Sequence, residues 1–491
     1  MAAPLSEKIG YGFGDMASSM FWKVFSYYLP FFYSNIFGIS LIDTGILLLV
    51  TRIWDAVSDP MMGAVADRTR TKWGKYRPYL IWIAAPFSIC GILLFTTPDW
   101  GYAAKLVWAY ATYIAMMTVY TGINVPYGAM LGVMTDKSKE KTVFSSFRMF
   151  FAYGGSFIAL FLWDPLCSMF ENNFGYSPQT SWQLAMTVIG ICCFFLFILC
   201  FFMTKEKVKQ IGNKTSLKKD IKDLVTNKPW WLLNGASLCF NLFNTVRGAT
   251  VAYFFVDIID KAPDHDLTVF GFKLLFYSGL FLGIGEVANM LGVASAVPIT
   301  NRIGKKATFI LVDILLIGFS VLFFFCPVSV SGFWLMLILQ VVISILTGIM
   351  APLVWSMYAD VSDYSELKNG SAATGLIFSS ASMAQKFGGA IGGAAVMWLL
   401  DAMGYVARGD VNAAADIVQP AGAIDCLWYL MTFIPAGVAL LSMVIVWLYP
   451  LNTAKMDEIV AKLHKVRNGV PEKDLEDEPA YDDLTDLATQ M

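Results

Sequence analysis

The chain has 491 residues, of which 57% are hydrophobic and only 15% are charged, and its formal net charge is −2. Soluble globular proteins carry about 25% charged residues, so a chain this apolar is excluded from that class. The near-neutral charge does not indicate a nucleic acid partner, two histidines are too few for a metal centre, and the eight cysteines lack paired metal-ligand spacing. We therefore expect an all-α membrane protein without a cofactor, since lipid offers no hydrogen-bond partners to an open backbone.

Twelve apolar segments are each long enough to cross a bilayer, which takes about 20 helical residues. In chain order they are predicted near 9–37, 41–66, 78–97, 103–132, 142–170, 181–204, 230–259, 270–299, 307–326, 332–359, 371–402 and 424–450. A polar, lysine-rich stretch separates the sixth segment from the seventh. We expect a six-helix bundle, a cytoplasmic linker, a second six-helix bundle and a cytoplasmic acidic, partly disordered tail, at 1–204, 205–229, 230–450 and 451–491.

Lysine and arginine are concentrated in alternate loops, at 67–77, 136–141, 205–228, 301–306 and 360–370. These loops hold about twenty basic residues, against three in the loops on the other side. Because basic loops stay in the cytoplasm, both termini are predicted to be cytoplasmic. The expected location is the bacterial inner membrane, crossed many times.

An internal repeat is indicated by two polar turns. "GAVADRTRTKWGKYRP" follows the second predicted helix and "SAVPITNRIGKKATFI" follows the eighth, so Asp67 and Arg68 correspond to Asn301 and Arg302. The alternative is that any two cytoplasmic loops are basic and glycine-rich. Repeated halves are typical of secondary transporters. The arrangement resembles the major facilitator superfamily, which implies two pseudo-symmetric six-helix bundles and a role for these four residues in loops that latch the cytoplasmic side.

The densest intramembrane charge lies in "TRIWDAVSDP", where Arg52, Asp55 and Asp59 share one helix face. Two carboxylates one turn apart repel in a low dielectric, so one takes up a proton unless a cation lies between them. Oxygen ligands such as Ser58 and Thr121 suit a hard cation such as Na⁺. The alternative is structural: Arg52 neutralises Asp55, and Asp59 belongs to the helix end.

Further charged residues at membrane depth predict a shared polar cavity, because the charges nearly balance. In the first half, acids and bases include Asp15, Lys23 and Arg148, while Lys386 lies in the eleventh helix. The motif "GFGD" around Asp15 also occurs as the catalytic acid of intramembrane aspartyl proteases. Such a protease needs a second aspartate in an earlier helix and fewer spans, so we expect a transporter and not an enzyme. No Walker-type loop indicates ATP-driven transport.

The motifs "GYGFGD", "RIWDAVSDP", "WGKYRP", "YTGINVPYG", "ADVSDYSE" and "QKFGG" cover most of the chain in order. Together they resemble the glycoside–pentoside–hexuronide:cation symporter family. The resemblance implies that a sugar is imported by alternating access together with Na⁺ or H⁺, with Li⁺ as a further option. It implies a cation site at Asp55, Asp59 and Thr121 beside Ser58, with Lys386 between the cation and the sugar.

For the sugar, the resemblance implies Asp15 and Arg148, with a hydroxyl near Ser382 as a further contributor. Tyr127 is a candidate for stacking on a sugar ring, although packing is the alternative interpretation. The melibiose carrier of that family has an acid where this chain has Asn124, so the pocket is not expected to take melibiose.

Losing that acid while keeping two basic residues favours an anionic sugar such as a hexuronide. The rival function is a carrier of lysolipids or other amphipathic solutes, which needs an apolar groove beside the charges. The expected partners are a small sugar and the lipid bilayer, with the protein acting as a monomer.

Overall fold

The computed structural model describes residues 4–135, 138–207, 224–259, 268–269, 272–273, 277–369, 374–407 and 418–467. Regular structure in these ranges is almost entirely helical. The helices, numbered in chain order, are α1 Leu5–Phe31, α2 Leu41–Arg68, α3 Pro78–Trp82, α4 Ala84–Leu94, α5 Tyr102–Met134, α6 Ser138–Ser168, α7 Pro178–Met203, α8 Lys228–Phe254, α9 Tyr277–Ile303, α10 Lys305–Phe323, α11 Val330–Asn369, α12 Thr374–Ala402, α13 Ala421–Met431, α14 Phe433–Trp447 and α15 Thr453–Arg467. Two short antiparallel strands, β1 Thr268–Val269 and β2 Phe272–Lys273, lie between α8 and α9.

Local sequence explains where several helices begin and end. Ser40, Ser177 and Asn227 each accept a hydrogen bond from a backbone N–H three residues on, so α2, α7 and α8 start with a capped N-terminus. Between α1 and α2 the chain turns at Gly38, whose φ of 85° favours glycine. Three helices continue into π-helical segments, at Phe32–Phe37, Met169–Asn173 and Phe255–Ile259.

In the described ranges, these helices form twelve segments of a length that can span a membrane, as the sequence predicts. Two of the segments are interrupted: α3 and α4 form one that breaks at Ile83, and α13 and α14 form another that breaks at Thr432. In the part of the chain that the structure describes, eight segments are long and apolar enough to cross a membrane by composition alone. The remaining long helices α1, α2 and α12 carry charged residues within their apolar segments, among them Asp15, Asp55 and Lys386, which lowers their mean hydropathy.

Packing between helices repeats from one half to the other. In the first half, α1 packs on α6 and α7, and α2 packs on α5. In the second half, the corresponding helices pack in the same way: α8 on α12 and α14, and α9 on α11. Contacts between the halves join α2 to α12, α6 to α9 and α1 to α8. Replacing each helix by its counterpart in the other half gives the same set of pairs, so the two bundles are pseudo-symmetric. The boundaries predicted for the bundles, linker and tail stay predictions, and linker residues 208–223 lie outside the described residues.

Helix extends into one predicted loop and into the first part of the predicted tail. The loop predicted at 360–370 is helical up to Asn369, because hydropathy detects the end of a membrane span, whereas neither glycine nor proline occurs between Asp360 and Gly370 to interrupt the helix. The first part of the tail forms α15, whose Ile459 is buried and which packs against α11. The acidic stretch from 472 onward lies outside the described residues.

The halves meet closely at the end of the bundle opposite the termini. There Ser34 of α1's π-helical extension lies 2.7 Å from the Tyr253 hydroxyl of α8. The carboxylate of Asp164 in α6 accepts the backbone N–H of Gly279 in α9 at 2.9 Å. The indole of Trp398 in α12 donates to a backbone carbonyl of α2. These contacts close that end of the interface between the halves.

Helices α9 and α11 approach so closely that glycine is required at the crossing. A Cβ atom on Gly348 would lie 2.9 Å from the Cα of Asn289, which is too close for real atoms. We expect Gly348→Ala to destabilise the protein by about 1–3 kcal/mol, because overpacking forces the helices apart. The control is Gly318→Ala in α10, where nothing lies within 4 Å of the added atom. Thermal unfolding of the purified protein in detergent measures both; equal midpoints for the two variants contradict the prediction.

Candidate functional site

The acidic pair of α2 lies against a threonine of α5. The Thr121 hydroxyl is 2.8 Å from Asp59 Oδ1 and 3.3 Å from Asp55 Oδ1. Ser58 lies 3.4 Å from the same hydroxyl and donates to the Asp55 backbone carbonyl at 3.2 Å. Asp55 is completely buried. The four residues predicted from the sequence to surround a cation therefore form one cluster of oxygen atoms.

Lys386 of α12 reaches across the interface between the halves into this cluster. Its Nζ atom lies 3.3 Å from Asp55 Oδ1 and forms an ion pair with Asp59. The resemblance implies a lysine between the cation and the sugar, and the structure brings its ammonium group onto the carboxylates themselves. An ammonium group can neutralise buried carboxylates in the way that a small cation does.

Arg52 contributes a second positive charge on the other side of Asp55. Its Nη1 atom is 3.5 Å from Asp55 Oδ2, the limit of a hydrogen bond. The guanidinium group lies 4.9 Å from the centre of the Trp22 ring and 5.7 Å from that of Phe25. Aromatic faces stabilise a cation, so Arg52 is held by stacking as well as by its ion pair with Asp55. The alternative in which Arg52 neutralises Asp55 is compatible with this geometry, and Asp55 faces positive charge from both Arg52 and Lys386.

Asp15 and Arg148 form a two-point ion pair between α1 and α6. Arg148 Nε is 2.9 Å from Asp15 Oδ2, and Nη2 is 3.3 Å from Oδ1. The guanidinium group lies 5.4 Å above the Tyr127 ring. Tyr127 is buried, stacks on Tyr11 and donates its hydroxyl to the Tyr11 carbonyl at 2.6 Å. The structure therefore places Tyr127 behind Arg148 as a packing residue.

A cavity of about 480 Å³, called the main cavity below, lies beside these charges. Its walls come from both halves and include four of the predicted residues, namely Asn124, Arg148, Ser382 and Lys386. Sites for small molecules typically have volumes of about 300–1,000 Å³. The main cavity is therefore large enough for a sugar, and Arg52, Arg148 and Lys386 are basic groups in its wall.

Several wall residues were missed by the sequence analysis. Asn241 and Thr245 of α8 line the main cavity, together with Gln385 of α12 and Trp355 of α11. The stretch "NLFNT" of α8 spaces its polar residues three and four positions apart in an apolar helix, so the signal was present.

The residues predicted to latch the loops lie at the end of the bundle that carries the termini. Arg68, Asn301 and Arg302 are exposed, and the side chain of Asp67 lies outside the described residues. Two acids that the sequence analysis did not single out hold these loops. Glu206 accepts the backbone N–H groups of residues 75, 76 and 77 at 2.7–2.8 Å, and Asp360 pairs with Lys305 at 2.7 Å.

Two pseudo-symmetric bundles around a polar cavity define a membrane transporter. The chain matches the family described as MFS/sugar transport protein over residues 10–453, so it belongs to that family.

Among curated relatives, the chain is 33% identical to the putative glycoside/cation symporter YagG of Escherichia coli, covering 94% of this chain and 95% of the relative. It is 33% identical to the isoprimeverose transporter of Lactiplantibacillus pentosus over 84% of this chain and 83% of the relative. It is 30% identical to the glucuronide carrier protein homolog of Escherichia coli over 93% of this chain and 94% of the relative.

A solved structure with the same fold is that of the nucleoside transporter NupG. Its TM-score is 0.61 at 15% identity, with 90% of this chain and 100% of that chain covered. At this identity the similarity shows the fold alone.

Removing the charge of Lys386 leaves the acidic pair without its closest cation. We expect Lys386→Met, which keeps the side-chain length, to lower stability by about 3–5 kcal/mol, the usual cost of breaking a buried ion pair. Adding Asp59→Asn to this variant restores part of the loss because one of the two carboxylates is gone. Thermal unfolding in detergent, with Na⁺ absent, compares the variants. A double variant no more stable than Lys386→Met contradicts this assignment of the charges.

Proposed function

We propose that this protein is a cation-coupled symporter that imports glycosides by alternating access. The observation that carries the proposal is an acidic pair, with Asp55 buried and Asp59 partly exposed, that shares one lysine with a sugar-sized cavity. The names of the relatives, a glycoside/cation symporter among them, support the same function. We further propose that the protein works as a monomer in the inner membrane, with both termini in the cytoplasm.

The coupling cation is proposed to bind Asp55 and Asp59, with Thr121 and Ser58 as neutral ligands. Hard cations prefer such oxygen ligands, and a proton would serve equally to remove the repulsion between the carboxylates. Either Na⁺ or H⁺ therefore fits the cluster, and Li⁺ is a further option. Since the Lys386 ammonium group now contacts both acids, cation entry requires it to withdraw.

Withdrawal of Lys386 provides the coupling in this proposal. The same side chain lines the main cavity, so a lysine released from the acids is available to hydrogen bond a substrate there. Each ligand then favours the arrangement that the other needs, and by linkage each raises the affinity for the other. Return of the empty carrier is possible without an ion, because Lys386 resumes its place on the acidic pair.

For the substrate we propose a glycoside whose acidic or hydroxyl-rich ring lies beside Arg148 and Lys386 in the main cavity, with Asp15 orienting Arg148. Asn124 and Ser382 supply neutral hydrogen-bonding groups in the same wall. The lining combines charged and amide side chains with aromatic rings, which suits a sugar ring better than the lysolipid alternative, since that needs an apolar groove. Pairing of Asp15 with an arginine, and not with a second aspartate, removes the basis for the protease alternative.

Replacing Asp59 by asparagine tests the cation site. The variant loses one of two carboxylates, so we expect a Na⁺ or proton gradient no longer to drive accumulation of a glycoside in proteoliposomes. The effect of the cation on substrate affinity, typically about 5–150-fold for coupled sites, should disappear. The control is Asp43→Asn in the first turn of the same helix, where the side chain contacts Ser40 and Tyr102 at the surface. Gradient-driven accumulation by the Asp59 variant contradicts the assignment.

The basic wall predicts a preference for an acidic ring. We expect methyl glucuronide to bind about tenfold more tightly than methyl glucoside, because a carboxylate gains charge-assisted hydrogen bonds from Arg148 and Lys386. Competition between the two compounds for uptake in proteoliposomes measures the ratio. Transport of neutral glycosides alone rejects the preference without affecting the symporter assignment.

A further inference from the structure

A second chamber adjoins the main cavity and has no part in the function proposed above. This side chamber has a volume of about 220 Å³. The two spaces are adjacent, because they share four wall residues: Trp22, Ser26, Asn241 and Thr245. Polar groups make up most of the remaining wall: Lys23, Tyr27, Tyr153, Asn244, Asn289 and Thr347. In an apolar bundle, so many polar side chains around one space indicate a site for a polar ligand.

Hydrogen-bond acceptors dominate one wall of the side chamber. The Asn244 amide NH₂ donates to the backbone carbonyl of Phe240 at 2.9 Å, and that of Asn241 donates to Ser237 at 2.8 Å. A side-chain amide turned this way has its carbonyl oxygen pointing from the helix surface toward the chamber. Both asparagines therefore present acceptors, which are matched by the hydroxyl groups of a ligand.

A charged pair that joins the two halves lies beside this wall. Lys23 Nζ of α1 lies 2.6 Å from Glu286 Oε1 of α9 and 3.2 Å from the Tyr27 hydroxyl. The glutamate side chain is only 3% exposed. Among the described residues, its second oxygen, Oε2, has no hydrogen-bond partner. Glu286 is not among the residues that line the side chamber, so its part there is to pair with Lys23, which does line it.

The charges beside this wall balance, because Lys23 in the wall is paired with Glu286. An ionic ligand of either sign therefore meets no unpaired opposite charge among the described residues of this wall. An uncharged ring rich in hydroxyl groups donates to the amide acceptors without the cost of burying a charge. The main cavity differs because three basic side chains, Arg52, Arg148 and Lys386, lie in its wall.

We propose that the side chamber is a second glycosyl subsite, which takes an uncharged ring of a two-ring glycoside while the other ring lies in the main cavity. The inference rests on the function proposed above and specifies its substrate class. Trp22, in the wall of both spaces, lies where the bond between the rings would pass.

Binding to the purified full-length protein tests the subsite with two matched pairs of probes. One pair is isoprimeverose and methyl α-xyloside; the other is glucuronosyl-xylose and methyl glucuronide. We expect Asn244→Ala to raise the Kd of a two-ring probe about tenfold, while the Kd of its one-ring partner stays within twofold. A tenfold change corresponds to the loss of about one well-formed hydrogen bond.

Control variants separate binding from folding. Asn234→Ala in α8 removes an amide that makes the same bond to its own helix at 2.8 Å but lines neither space, so it should change neither Kd. Thr347→Val removes the hydroxyl that donates to Asn289 at 3.0 Å and should repeat the selective effect if Asn244→Ala does not fold. If the variants weaken the binding of one-ring and two-ring probes equally, or weaken neither, the subsite is overturned and the proposed function is not affected. Binding of no probe overturns the subsite and the proposed function together.

Discussion

The ammonium group of Lys386 between the carboxylates of Asp55 and Asp59 is the interaction on which the rest of the site depends. Two acids one turn apart are tolerated at membrane depth only when positive charge neutralises them. Here Arg52 supplies positive charge from the same helix and Lys386 supplies it from the opposite half, so the neutralisation also fixes α12 against α2. The lysine is at the same time part of the cavity wall, which links the charge state of the acids to the shape of the cavity.

A second charged contact, between Lys23 and Glu286, joins the halves on the other side of the main cavity. The two pairs differ in what surrounds them. Lys386 contacts acids that have the neutral oxygen atoms of Ser58 and Thr121 as neighbours, whereas Glu286 lines a small space together with Asn244, Asn289 and Thr347. One pair therefore belongs to ion exchange in our proposal, and the other holds Lys23 in the wall of a chamber suited to hydroxyl groups.

Much of the fold and of the charged site was predictable from the sequence. Apolar length gives the twelve spans, and charge in an apolar helix is so costly that Asp55, Asp59 and Lys386 could be identified without structure. The asparagines of the side chamber were missed because burying a neutral amide in an apolar helix costs less free energy than burying a charge, so the amide is a weaker signal of function. The ion pairs could not be predicted from the sequence either. Lys23 and Glu286 are 263 positions apart, and only the packing of α1 on the second half brings them together.

The length of α11 has a mechanical consequence. At 1.5 Å per residue its 40 residues extend about 60 Å, roughly twice the hydrocarbon thickness of a bilayer. Thr347 in the side chamber and Asp360, which holds Lys305 near the termini, thus lie on one helix, on either side of Pro352. An interior proline removes a backbone hydrogen bond and permits bending, so a bend of about 5° at Pro352 would displace the aqueous end, about 25 Å away, by about 2 Å and transmit movement at the sugar to the loops outside the membrane.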